Sequence, residues 1–138
     1  MKTVITLVII LSSLSCVSQK KNQNETIKEI EFSAQTRGAM ENIKLVDQNL
    51  EYKTYNETKT IVLSNEQTNK LFDLIKKIQL AKIPEFKASS ENRASDRAMH
   101  ATFSIKTDKT TYISAQFDDN NPPKELKEII ELFRQFVN

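Results

Sequence analysis

From Glu29 the chain alternates strictly: Ile30, Phe32 and Ala34 fall on one side, Glu29, Glu31 and Ser33 on the other. Period two with apolar residues opposing polar ones describes a strand with one face buried and one wet. That pattern recurs before and after a helical stretch, and it constrains the fold more than any other feature. After Arg37 and Gly38, where the lone glycine is expected to make a turn, 41–46 (ENIKLV) continue with Ile43 and Leu45 inward. A turn at 47–49 (DQN) leads to Leu50, Tyr52 and Thr54, and a second turn at Asn56-Glu57 leads to TKTIVLS with Ile61 and Leu63 inward. This is a meander of three or four antiparallel strands.

The period then changes. Ser64 followed three places later by Gln67 is a capping-box signature, and Leu71, Leu74, Ile75 and Ile78 behind it recur at helical spacing, predicting a helix over 65–79. Pro84 keeps the next segment from continuing as a helix, and Leu80, Ile83 and Phe86 pin it. Alternation returns with Met99, Ala101, Phe103 and Ile105 inward, a hairpin at 106–110, and a strand over 110–117 with Ile113, Ala115 and Phe117 inward. A last helix carries Leu126, Ile129, Ile130, Phe133 and Val137 behind Pro122 and Pro123, and 118–121 (DDNN) are expected to cap it. The order β-β-β-α-β-β-α describes an α+β domain over 26–138: an antiparallel sheet of about five strands with two amphipathic helices on one face.

The first twenty residues differ in kind. Lys2, a run from Val4 to Leu11 that is apolar apart from Thr6, and small residues Ser12, Ser13 and Ser15 form a signal peptide over 1–15. The run is too short to span a ~30 Å hydrocarbon core. The only cysteine, Cys16, follows at once, and LSSLSC resembles a bacterial lipoprotein signal in which that cysteine is lipidated. Ser13 and Ser15 also suit an ordinary signal peptidase cutting the same bond, which leaves an exported protein with a free thiol. Residues 16–25 then read as the anchored cysteine and a polar tether.

Balanced charge (20 basic, 18 acidic) argues against nucleic acid, which needs a basic excess on one face. One histidine and one cysteine, far apart, cannot furnish a zinc site, and 118–121 lack the glycine and closing glutamate of an EF-hand calcium loop, so no metal and no cofactor is expected. No catalytic residue is assigned, because no nucleophile with a base and an orienting group is present.

The candidate ligand-binding residues are Arg37, Arg93, Asp96, Arg97 and His100, grouped where a loop becomes a strand. With Met99 to Ile105 inward, His100, Thr102 and Ser104 occupy the sheet face that the helices leave open, joined there by Tyr112, Ser114 and Gln116. Arginine offers forked donors to anions and histidine a switchable proton. The plainer alternative makes Asp96 a turn residue, pairs the arginines with Glu29 or Glu31, and leaves His100 on the surface. A small hydrolase or metal-dependent enzyme centred on His100 and Asp96 is the catalytic alternative.

TRGAMENIKL, SDRAMHATFSI and AQFDDNNPP, with the cysteine-ended signal, resemble a group of small uncharacterised lipoproteins of Bacteroidetes-type bacteria. The shared features are Arg37-Gly38, Asp96 with Ala98, and Phe117-Asp118 with Pro122-Pro123. The resemblance implies export, a lipid anchor and the α+β order. It carries no activity. Without an acidic cluster after Cys16, it implies an outer-membrane lipoprotein facing the periplasm. The open sheet face, or a sheet edge, is expected to serve a non-catalytic binding or interaction module of the envelope, whose partners are the membrane through the lipid anchor and an envelope protein, peptide or small polar ligand.

Overall fold

The computed structural model describes residues 25–138; the expected signal peptide, Cys16 and nearly all of the tether lie outside them. Nine elements follow one another: β1 (Ile27–Gln35), β2 (Met40–Val46), β3 (Asn49–Thr54), β4 (Thr58–Val62), α1 (Asn65–Ile75), β5 (His100–Thr107), β6 (Thr111–Ile113), β7 (Phe117–Asp118) and α2 (Lys127–Val137). Short 3-10 turns at Leu80–Glu85 and Asn92–Ser95 lie between α1 and β5. The fold is α+β around one antiparallel sheet, with seven strands where about five were expected. The meander expected to hold three or four strands has four, β1 to β4, with the expected turn after Val46, and 110–117, read as one strand, is broken at Ser114.

The spatial order is β4-β3-β2-β1-β5-β6, with β7 also paired to β5. The first strand is therefore interior, not an edge. Its partner β5 lies about seventy residues on, and the register sets Ile30 against Ile105, Phe32 against Phe103 and Ala34 against Ala101. On the other side Ile30 meets Leu45 and Phe32 meets Ile43. Directly opposed residues share a face, so these rows form one apolar surface. Leu71 and Ile75 of α1 and Ile129, Ile130 and Phe133 of α2 complete the same buried cluster.

The positive-φ turns are made by aspartates. Asp47 (φ 56°) opens the two-residue β2–β3 turn and Asp96 (φ 55°) closes the second 3-10 turn. Asx residues tolerate this region better than most. Gly38 has no positive φ, and a Cβ there would meet nothing within 4 Å, so the turn does not depend on it.

The capping box forms as expected: Gln67 N donates to Ser64 Oγ and Ser64 N to Gln67 Oε1. The helix ends at Ile75, short of residue 79. Beyond it Lys77 N bonds Leu74 O and Ile78 N bonds Ile75 O, a tightened three-residue pattern. Pro84 sits inside the following 3-10 turn, so that segment is helical in a tighter form. α2 starts at Lys127 without a side-chain cap, which corrects the role expected of 118–121.

The largest correction concerns β6. Register places Ile105 opposite Tyr112 and Ser104 opposite Ile113, whereas Ala101 lies opposite Phe117 and His100 opposite Asp118. Between the Ser104–Ile113 and Ala101–Phe117 pairs, two residues of β5 (102 and 103) therefore face three on the other side (114–116). That extra residue is a bulge at 114–116, and a bulge reverses the alternation. Tyr112 turns to the core, Ile113 is 53 % exposed, Ala115 is exposed, and Phe117 is fully buried. Ser114, expected on the wet face, is buried: its hydroxyl takes the Phe103 N–H and its own N–H bonds Phe103 O.

Candidate functional site

The open face of the sheet is polar. Glu31 accepts from Asn42 Nδ2 at 2.6 Å, and Glu29 lies 3.8 Å from Lys44 Nζ. These carboxylates are met from the neighbouring strand rather than by the arginines once weighed as their partners. Near the end of this face where β1 finishes and β5 begins, the surface sinks into an open trough of about 470 Å³ lined by Ser33, Gln35, Thr36, Arg37, His100, Thr102 and Gln116.

Pleating builds it. Ser33 and Gln35 share the wet side of β1, and they lie opposite Thr102 and His100 of β5. Arg37 stands at the mouth, on the bend leaving β1. Gln116 enters through the β5–β7 bulge, and its Oε1 lies 3.4 Å from His100 Nδ1. Gln35 Nε2 donates to Tyr55 Oη at 3.2 Å, which carries the polar surface sideways to the β3–β4 turn. The result is a concavity of hydroxyls and amides with two nitrogenous side chains. It can offer hydrogen bonds in both directions and one fixed positive charge.

Two of the five candidate residues, Arg37 and His100, thus share the trough, and three lie outside its lining. Arg93 is already engaged. Its Nη1 donates to Asp118 Oδ1 at 3.0 Å and to Ser90 O at 2.8 Å, and its Nη2 lies 2.6 Å from Glu91 Oε2. Asp96 is the left-handed residue that ends the Asn92–Ser95 turn, with its N–H on Arg93 O, and both Asp96 and Arg97 are exposed. The polar neighbour of His100 is Gln116, and no Asp96–His100 hydrogen bond forms among the described residues.

The residue that sequence reading missed is Asp118. Its carboxylate is fully buried and accepts from Ser90 Oγ, Asn92 N, Arg93 N and Arg93 Nη1. Burial by itself would raise its pKa, yet the bonds from Ser90, from the two backbone N–H groups and from the guanidinium overcome this and hold it well below the usual carboxylate range. Burial of Arg93 would favour its neutral form; the hydrogen bonds to Asp118 and Glu91 outweigh that and keep it charged. Asp118 thereby fastens the loop beside the trough. Asp119 adds a bond from Met99 N at 2.6 Å, so 118–119 organise the start of β5 rather than the start of α2.

Among the described residues no three His, Cys, Asp or Glu side chains cluster closely enough to hold a metal ion. None of the helices there is long and apolar enough to cross a membrane. No protein-family model matches the chain, and no match was found among curated proteins or among solved structures.

Proposed function

We propose that this protein is a lipid-anchored binding module of a bacterial cell envelope, non-catalytic, which takes an anionic or strongly polar ligand in the trough beside Arg37 and His100. The observation that carries the reading is the trough itself: one open concavity on the uncovered sheet face, with a guanidinium at its mouth and amides and hydroxyls along its floor. Such a lining recognises carboxylate, phosphate or sugar-acid groups by charge and by two-way hydrogen bonding.

The position of the chain's exit supports a tethered arrangement. Glu25, where the described body begins, accepts from Tyr112 Oη at 2.9 Å and Thr107 Oγ1 at 2.9 Å, and Thr26 N donates to Asp108 at 2.8 Å. The N-terminal segment is thus fixed to the β5–β6 hairpin. The trough lies at the other end of β1, about 26 Å away at ~3.3 Å per residue. With Cys16 acylated, the tether would join the body at the end opposite the trough. The lipoprotein signal and the resemblance to Bacteroidetes-type lipoproteins support an outer-membrane anchor on the periplasmic side.

Two measurements test this. Cys16→Ser is expected to move the protein from membrane to soluble fraction, with globomycin producing a precursor of the parent; unchanged fractionation and mobility would refute the anchor. Titration of the isotope-labelled full chain in detergent with trigalacturonate and with inorganic phosphate is expected to give saturable shifts at 33–37, 100–102 and 116, abolished in Arg37→Ala. Uniform or absent shifts at millimolar ligand would remove the trough from consideration.

A further inference from the structure

The two outer strands of the sheet are treated differently. The Leu80–Glu85 turn lies against β6 and protects that side. β4 is the last strand of the sheet, paired with β3, and its Thr58, Thr60 and Val62 are exposed. The ladder fixes which backbone groups are left over. Thr54 N bonds Glu57 O at one end and Leu63 N bonds Gln48 O at the other, so the odd residues Lys59 and Ile61 bond toward β3. By the alternation of an antiparallel ladder, Thr58, Thr60 and Val62 turn their N–H and C=O groups outward.

Edge strands normally carry a charge, a proline or a bulge that blocks pairing. β4 has none of these on its wet face. Its outward side chains, Thr58, Thr60 and Val62, are uncharged and β-branched, and Val62 is 68 % exposed. Lys59, the strand's single charge, belongs to the other face, where its Nζ donates to Val137 O and lies 5.1 Å from the Tyr52 ring centre.

The geometry points to a second copy of this chain as the occupant of this edge. The outward set is odd in number and centred on Thr60, so a two-fold axis through Thr60 maps it onto itself. Antiparallel pairing then sets Thr60 against Thr60 of the other copy and Thr58 against Val62, making about six backbone hydrogen bonds. Val62 gains cover from a threonine methyl, a favourable cross-strand pair. On the inner face Ile61 meets the Lys59 stem, and like charges are not directly opposed. The pairing continues the sheet across both copies. Five-residue edges bury less than the ~1,000 Å² of a stable interface, so the association is weak and concentration-dependent.

Cysteine placement reads the register directly, in full-length protein solubilised in mild detergent. The two Thr60 Cα atoms lie ~5.5 Å apart in this pairing, within disulfide reach, whereas the two Thr58 Cα atoms lie ~14 Å apart. Thr60→Cys is expected to give an oxidised homodimer in large excess over both Thr58→Cys and the parent chain. An equimolar mixture of Thr58→Cys and Val62→Cys chains is expected to cross-link to each other. Thr60→Lys, which opposes two ammonium groups, is expected to weaken dimerisation in sedimentation at least tenfold. Equal cross-linking at 58 and 60, no dimer at any concentration, or capture of a different protein at position 60 would each overturn the inference.

Discussion

Arg93, in the loop before β5, donates from Nη1 to the buried Oδ1 of Asp118 at 3.0 Å, and Asp118 also accepts the N–H of Arg93 itself. One carboxylate thus takes both the backbone and the side chain of a single residue, and with Ser90 and Asn92 it closes a loop that has little apolar anchorage of its own. Asparagine would keep one carbonyl oxygen but put an NH2 donor in place of the other, so two of the four donors lose their acceptor and the Arg93 guanidinium loses its counter-charge. Asp118→Asn is expected to cost about 3 kcal/mol, the scale for breaking a buried pair, measured by urea unfolding.

The same carboxylate sets an acid response. Its pKa is lowered in the folded protein, so the unfolded chain takes up the proton first as pH falls. Its contribution is complete above the unfolded value of about 4 and declines below it. Unfolding free energy of the parent is expected to drop through that range, and Asp118→Asn should show a shallower acid limb. Parallel acid limbs would contradict the assignment.

The bulge before β7 makes a prediction that strict alternation reverses. Ile105→Ala, in the core, is expected to cost about 2–5 kcal/mol. Ile113→Ala, on the wet face, is expected to cost well under about 1 kcal/mol. Comparable losses in thermal or urea unfolding would return Ile113 to the core.

Arg134 of α2 reaches across to Glu41 at the start of β2, with Nη2 2.6 Å and Nε 3.2 Å from Oε2, and its guanidinium lies 5.1 Å from the Phe32 ring centre. Arg134→Ala and Glu41→Ala are each expected to cost about 1.5–3 kcal/mol, with the double variant losing clearly less than their sum. Arg134→Lys is expected to recover little, because an ammonium cannot reproduce the forked contact. A fully additive double mutant would show that the pair carries no coupling.

His100 is exposed on the open face. His100→Ala and Arg37→Ala are expected to stay within about 0.5 kcal/mol of the parent in unfolding while weakening trough ligands. A loss of several kcal/mol at either position would make it structural.

Local pattern carried much of this fold. Ile30, Phe32, Ala34, Ile43, Leu45, Leu50, Ala101, Phe103 and Ile105 announce their inward direction by alternation, and all are buried. Ser64 and Gln67 announce the start of α1 because the capping box is made within four residues. Half of the trough was legible for the same reason: once Phe103 points in, His100 and Thr102 must share the other face. Phe117 was also placed inside, yet through the wrong register, since the bulge at 114–116 depends on what β5 offers across the sheet.

What sequence by itself determined was therefore the strand and helix periods, the inward faces, the capping box and the segments able to act as turns. These rest on residues at most a few positions apart. Only the tertiary structure decided that β1 lies inside the sheet, that β4 is the bare edge, that Asp118 is spent on Arg93 rather than on α2, and that Arg134 answers Glu41. Each of those is a pairing across 25 to 93 residues, or a consequence of the strand order, and no local period records which distant group will satisfy a buried charge or an unpaired backbone edge.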